Sequence, residues 1–159
     1  MTQLIQILPA IALRGTTILP DMIVHFDVSR ERSVKAIEAA MLHDQTIFLV
    51  TQKDPEIETP GIEELYKVGT VAYIKQVVKL PHNLQRVLVE GKTRAELLNI
   101  ESEEPYLRAE ITGFESDAQN YSEPVREAMY RSIRTLFHRY CMGSGKISRE
   151  LAAQFLLIL

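Results

Sequence analysis

From Leu4 to Leu13 almost every position is apolar, the pattern of a strand covered on both faces. Pro20 and Asp21 then break the chain, and Met22 to Val28 forms a second strand candidate. Ser29 is the expected cap of a helix reaching about His43, in which Val34, Ile37 and Met41 recur on one face. Ile47 to Val50 is a short apolar run between polar flanks, as in a buried strand. Asp54 to Glu64 mixes Pro55, Pro60 and Gly61 with acids and predicts an exposed loop. A long hairpin follows. Val68, Thr70, Ala72, Ile74, Val78 and Leu80 are expected to share one face at period two, and Pro81-His82-Asn83 supplies the turn, where Asn tolerates a left-handed backbone. Val87 and Val89 return on one face, with Gly91 marking a bulge or bend. Leu107, Ala109 and Ile111 alternate with Arg108, Glu110 and Thr112, which predicts a last strand exposed on one side.

The pattern changes near Phe114. Glu115 to Ser122 is polar, and Ser122 with Pro124 announces a helix in which Val125, Met129, Ile133, Phe137 and Tyr140 follow helical spacing. Gly143-Ser144-Gly145 ends it, and a final segment opens near Ser148. Six or seven strands with one early helix predict an α+β fold: a small, partly closed β-barrel lobe over residues 1–115 and a helical lobe over 116–159. Closure is favoured because it hides strand edges that would otherwise pair with other chains.

Composition narrows the class. A chain of 159 residues suits one domain, or one with a helical appendage, and 46% hydrophobic residues suffice for a core. A net charge of −3 argues against a general affinity for nucleic acid. Cys141 is the only cysteine, so no internal disulfide forms and a reducing compartment fits. The amino terminus lacks the basic start and apolar core of a signal peptide, and no apolar run approaches the roughly 20 residues that cross a bilayer. These features predict a soluble, cytoplasmic protein. Leu156-Leu157-Ile158-Leu159 would make a sticky end, so the natural chain is expected to continue.

Candidate chemistry is sparse. Gly145-Lys146 mimics a phosphate-binding loop, but the required first glycine falls on Tyr140 and the magnesium-binding hydroxyl on Ile147. Lys146 and Ser148 lie on a glycine-flanked loop that offers no burial to unprotonate a lysine base. His25, His43, His82 and His138 are scattered without metal-ligand spacing. Glu101, Glu103 and Glu104 read as a solvated turn beside Pro105. No catalytic, cofactor or metal-binding residue is expected. Between Arg131 and Arg149 the charges are all basic, but the aromatics lie on the opposite, apolar face. Packing against an acidic neighbour, with 96–117 the internal candidate, is therefore expected in preference to nucleic-acid binding. What remains is apolar and sits in turns: Ile18, Leu19, Pro20 and Met22 around one chain break, and Leu80, Pro81 and Leu84 around the hairpin tip. Either these residues are packed inside, or they form an adaptable patch that binds unfolded segments without reading sequence.

Residues 8–41, with Arg14-Gly15-Thr16, Pro20 and Phe26-Asp27-Val28 before the helix, resemble the start of the amino-terminal domain of Lon proteases, the ATP-dependent serine peptidases of bacteria and organelles. The likeness continues through 47–53, through Val68-Gly69-Thr70-Val71 and Lys79-Leu80-Pro81, and most specifically through Arg86–Gly91 followed by Arg94-Ala95. The resemblance implies a PUA-like barrel lobe followed by a helical lobe leading toward an ATPase. It implies capture of unfolded or damaged protein substrates and support for a homo-oligomeric ring, without catalysis in these residues. ATP and magnesium, and the catalytic dyad, would belong to parts of the parent protein beyond Leu159. The alternative is a stand-alone protein on the same domain, binding a peptide, RNA or small ligand.

Overall fold

The structure is a computed structural model that describes residues 4–114 and 121–158. Contacts divide the chain into two units, Met1–Glu115 and Ser116–Leu159. The first contains β1 (Ile5–Leu13), β2 (Ile23–Val28), α1 (Glu31–Met41), β3 (Thr46–Thr51), β4 (Val68–Leu80), β5 (Leu84–Ser102) and β6 (Leu107–Gly113). The second contains α2 (Glu123–Ser144) and α3 (Arg149–Ile158).

The strands form one sheet in the order β2-β5-β4-β3-β1-β6, and β6 also pairs with β5. That extra pairing makes the sheet a near-closed barrel. It is possible because β5 runs for 19 residues: Gln85–Glu90 pairs with β2, and Ala95–Ser102 pairs with β6. The sequence pattern showed only the first half of this strand. All pairings are antiparallel except β1 with β3, and the intervening helix α1 provides the crossover a parallel pair needs.

Two apolar cores lie on opposite faces of β1 and β3. Ile11, Leu13, Ile47 and Leu49 face one core with Val34 and Ile37 of α1, while Ala10, Ala12, Phe48 and Val50 face the other with Ala95, Leu107 and Ile111. Alternate side chains of a strand point to opposite faces, so a strand serving two cores reads as a continuous apolar run. The expectation that β1 is covered along its whole length fails at its start. Leu4, Ile5 and Ile7 are exposed; β3 pairs only with Ala10–Leu13, so the first half of β1 has β6 alone beside it.

Two further expectations are corrected. The first helix begins one residue later than expected, with Arg30 at the cap position and no side-chain capping bond, and Met41 is exposed at its end. In β4 the period-two face holds for Thr70, Ala72 and Ile74 but not for Val68, exposed at the strand's start, or for Val78. A register shift between Ile74 and Gln76 inserts Lys75, after which Val77 packs on the core and Val78 turns outward. In the second unit, Ser122 precedes α2, Pro124 lies in its first turn, and Gly145 closes it in a left-handed conformation. Arg126 pairs with Glu123 and Arg131 with Glu127 within that helix. The 115–120 part of the expected linker and the side chains of the 156–159 tail lie outside the described residues.

Candidate functional site

The segment before β2 crosses the end of the barrel and is fastened at each step. Thr51 Oγ1 donates to the Thr16 carbonyl at 2.9 Å, and buried Thr70 Oγ1 donates to the Ile18 carbonyl at 2.6 Å. The Asp21 N–H donates to the Gly91 carbonyl at 3.0 Å, and the Gly91 N–H donates to the Met22 carbonyl at 2.9 Å. Asp21 takes φ of 65°, and the Leu19 N–H donates to Met22 Sδ at 3.3 Å. Gly91 is required here for space: a Cβ would fall 2.2 Å from the Leu19 carbonyl oxygen. The glycine that marked a bend in the sequence pattern is therefore the seat of the Leu19–Met22 turn.

This anchoring leaves large apolar groups in solvent. Ile18 is buried and Pro20 half-buried, but Leu19 is 52% exposed, Met22 36% and Ile23, the first residue of β2, 60%. Ile23 was not among the residues singled out by sequence reasoning. Its signal was present in the strand's alternation, since Ile23, His25 and Asp27 share the face opposite Val24, Phe26 and Val28.

The other three candidates lie elsewhere. Pro81 is exposed at the β4–β5 tip, where His82 and Asn83 both adopt left-handed φ, while Leu80 and Leu84 are half-buried and face each other across the hairpin. Val28 of β2 pairs with Gln85 next to this tip, whereas Ile23 pairs with Glu90 next to the Leu19–Met22 turn. Leu84 and Gly91 are seven residue steps apart along β5, about 23 Å of extended chain. Leu19, Pro20 and Met22 thus form one cluster with Ile23, and Leu80, Pro81 and Leu84 form another at the opposite end of β2.

Ion pairs hold the outer face between the two clusters. Arg86 makes a two-point contact with Asp27, at 2.7 and 2.8 Å, and this holds the Asp27 carboxyl below its ordinary range. Glu90 accepts from Lys75 and Lys92, each at 2.7 Å, and hydrogen bonds from those two ammonium groups hold its pKa down at about 2. Below the barrel end, half-buried Arg30 donates to the Ala12 carbonyl, to Gln52 Oε1 at 3.1 Å and to the Glu58 carbonyl at 3.3 Å. It thereby ties the start of α1 to β1, β3 and the acidic loop. Among the described residues, no group of three or more His, Cys, Asp or Glu side chains converges as a metal site would require. Among the same residues, no helix is long and apolar enough to cross a membrane.

Residues 7–158 match the family model described as the ATP-dependent protease La (Lon) substrate-binding domain. The chain belongs to this family. It is 46% identical over 154 residues to the Lon protease of Lachnoclostridium phytofermentans, covering 97% of this chain and 19% of that protein. With Lon protease 1 of Bacillus subtilis it shares 42% over 146 residues, or 92% of this chain and 19% of that protein. The chain therefore spans about a fifth of the length of these relatives. Two solved structures share its fold. The N-terminal domain of the Mycobacterium avium complex Lon protease aligns over 97% of this chain and 76% of its own, with a TM-score of 0.70 at 17% identity. A Lon N-terminal domain protein from Xanthomonas campestris aligns over 86% of this chain and 74% of its own, with a TM-score of 0.60 at 13% identity.

Proposed function

We propose that this domain collects unfolded or damaged polypeptide for a Lon-type ATP-dependent serine peptidase of the cytoplasm, and that it supports assembly of the peptidase into a homo-oligomer. In this reading the domain binds and does no chemistry; ATP, magnesium and peptide cleavage belong to other parts of such a protein. The observation that carries the reading is the cluster of Leu19, Met22 and Ile23, large apolar side chains held in solvent by a turn that is itself firmly bonded to Gly91. A rigid turn with projecting aliphatics offers apolar area at little cost in ordering and reads no particular sequence. Weak single contacts suffice when several tethered copies act on one chain.

The test is binding of reduced, unfolded casein against a folded control protein. Burying one Leu or Met side chain is worth about 1.5–3 kcal/mol, so Leu19→Ser with Met22→Ser is expected to weaken capture at least about tenfold while leaving the melting temperature nearly unchanged. Leu80→Ser tests the second cluster separately. A Leu19/Met22 variant that melts and binds like the parent would place capture elsewhere.

A further inference from the structure

Among the described residues, β2 has no strand along the whole of its outer side. β6 pairs on both sides, with β1 and with β5, whereas β2 terminates the strand order and is bonded to β5 alone. The Gly91 N–H bonds the Met22 carbonyl, and antiparallel ladders alternate, so Val24, Phe26 and Val28 direct their backbone groups toward β5. Ile23, His25 and Asp27 direct theirs to the free edge, and among the described residues no loop or side chain bonds them there. Strand edges in stable proteins are usually defended by lysine, proline or a bulge. β2 contains none of these, and its one carboxylate, Asp27, is engaged by Arg86.

We propose that the free edge of β2 pairs with an extended segment of the captured polypeptide, which joins the sheet as an added strand. The inference rests on the substrate reading above and supplies its mode of recognition. An edge of unpaired N–H and C=O groups is satisfied by another extended backbone, and backbone bonding needs no sequence. Side chains of the added strand would alternate over two apolar flanks. One flank is Ile23 with the Leu19–Met22 cluster; the other is formed by half-buried Val24 and Phe26. Near the far end of β2, Phe26, Asp27 and Val28 help line a cavity of about 160 Å³ of mixed character, with Arg14, Arg30 and Ser33 also on its wall, room for one side chain. A second copy of this chain is a poorer occupant. A six-residue edge is about 20 Å long, and pairing two such edges closes much less than the roughly 1,200 Å² of a stable interface.

The experiment uses the 159-residue chain and a fluorescein-labelled ten-residue peptide alternating valine and serine with terminal lysines. A second form of the peptide carries N-methyl groups on four consecutive central amides, so that neither of its edges pairs. Fluorescence anisotropy is expected to show binding of the first form and at least tenfold weaker binding of the second. Amide hydrogen exchange is expected to slow at Ile23, His25 and Asp27 when the first form is added. His25→Pro removes an edge N–H without touching the ladder to β5 and is expected to weaken the first peptide comparably; thermal melts of the variant establish that it is folded. Equal binding of both peptides, or exchange protection confined to other residues, overturns the edge. Dimerisation of the parent that His25→Pro abolishes would give the edge to a second copy and equally overturns it. If unfolded casein binds in a Leu19- and Met22-dependent way while both peptides bind alike, the capture reading survives and only the added strand fails. If neither casein nor peptide binds, both fail.

Discussion

Gly91→Ala tests whether one close backbone contact supports the whole candidate surface. The new Cβ would lie 2.2 Å from the Leu19 carbonyl oxygen, 3.1 Å from the Leu19 carbonyl carbon and 3.3 Å from Pro20 Cα. All three atoms are backbone, so no side chain can swing aside. Carbon–oxygen contacts settle at about 3.3–3.6 Å, which requires the turn to retreat by about 1 Å. That movement stretches the two bonds between the turn and Gly91, now 3.0 and 2.9 Å, out of the normal range. Overpacking costs about 1–3 kcal/mol and each lost bond about 0.5–1.5 kcal/mol. The terms overlap, which gives about 2–4 kcal/mol in total. At about 4 °C per kcal/mol for a unit of this size, the melting temperature is expected to fall by about 8–16 °C. Casein binding per folded molecule is expected to fall as well, because Leu19 and Met22 are displaced together. Two other glycines serve as controls. Gly113→Ala meets nothing within 4 Å and should be nearly silent. Gly69→Ala drives a Cβ to 2.5 Å from the Phe48 ring, so it should destabilise the barrel yet leave binding per folded molecule intact. A Gly91→Ala protein that melts within about 2 °C of the parent and binds casein equally would refute the reasoning.

Arg30→Ala strands the buried Gln52 side-chain carbonyl oxygen and the Ala12 carbonyl, at about 1–3 kcal/mol for each unsatisfied group; an unfolding free energy lowered by about 2–4 kcal/mol in denaturant titration is expected, and Arg30→Lys should rescue little because an ammonium has no fork. Acid should loosen the outer face of β5 in a defined direction. Glu90 has a folded pKa depressed to about 2, so its stabilising contribution is present above the unfolded carboxylate value of about 4.3 and is lost as pH falls toward 2. Melts from pH 6 to 2 should therefore show a smaller acid-induced decline for Glu90→Gln than for the parent, and identical declines would exclude Glu90 as a contributor.

Local physics explains what was legible in the residue order. The apolar run Leu4–Leu13 showed a strand used on both faces, which holds over Ala10–Leu13, Pro81-His82-Asn83 showed a turn with Asn83 left-handed, and Ser122, Pro124 and Gly145 bracketed a helix whose ends they define. Each of these depends on a few neighbouring residues, so it is written in their order. Family membership was legible for a related reason, since it rests on the sequence of such blocks. The near-closed barrel was legible as a class, through the count of strands and the need to hide their edges. Other features required distant residues to meet. Lys75 is inserted between paired positions of a neighbouring strand, and that reverses the faces of Val77 and Val78. β5 extends to Ser102 because β6 lies beside it, and α1 is fastened through Arg30 to Ala12 and Gln52 instead of through Ser29. The two apolar turns looked equivalent along the chain, yet pairing of β2 with β5 sets them at opposite ends of one strand and leaves that strand's other edge free. Periodicity tells which face of a strand is apolar but carries no information about which strand lies beside it. Register and edge are settled only when the barrel closes.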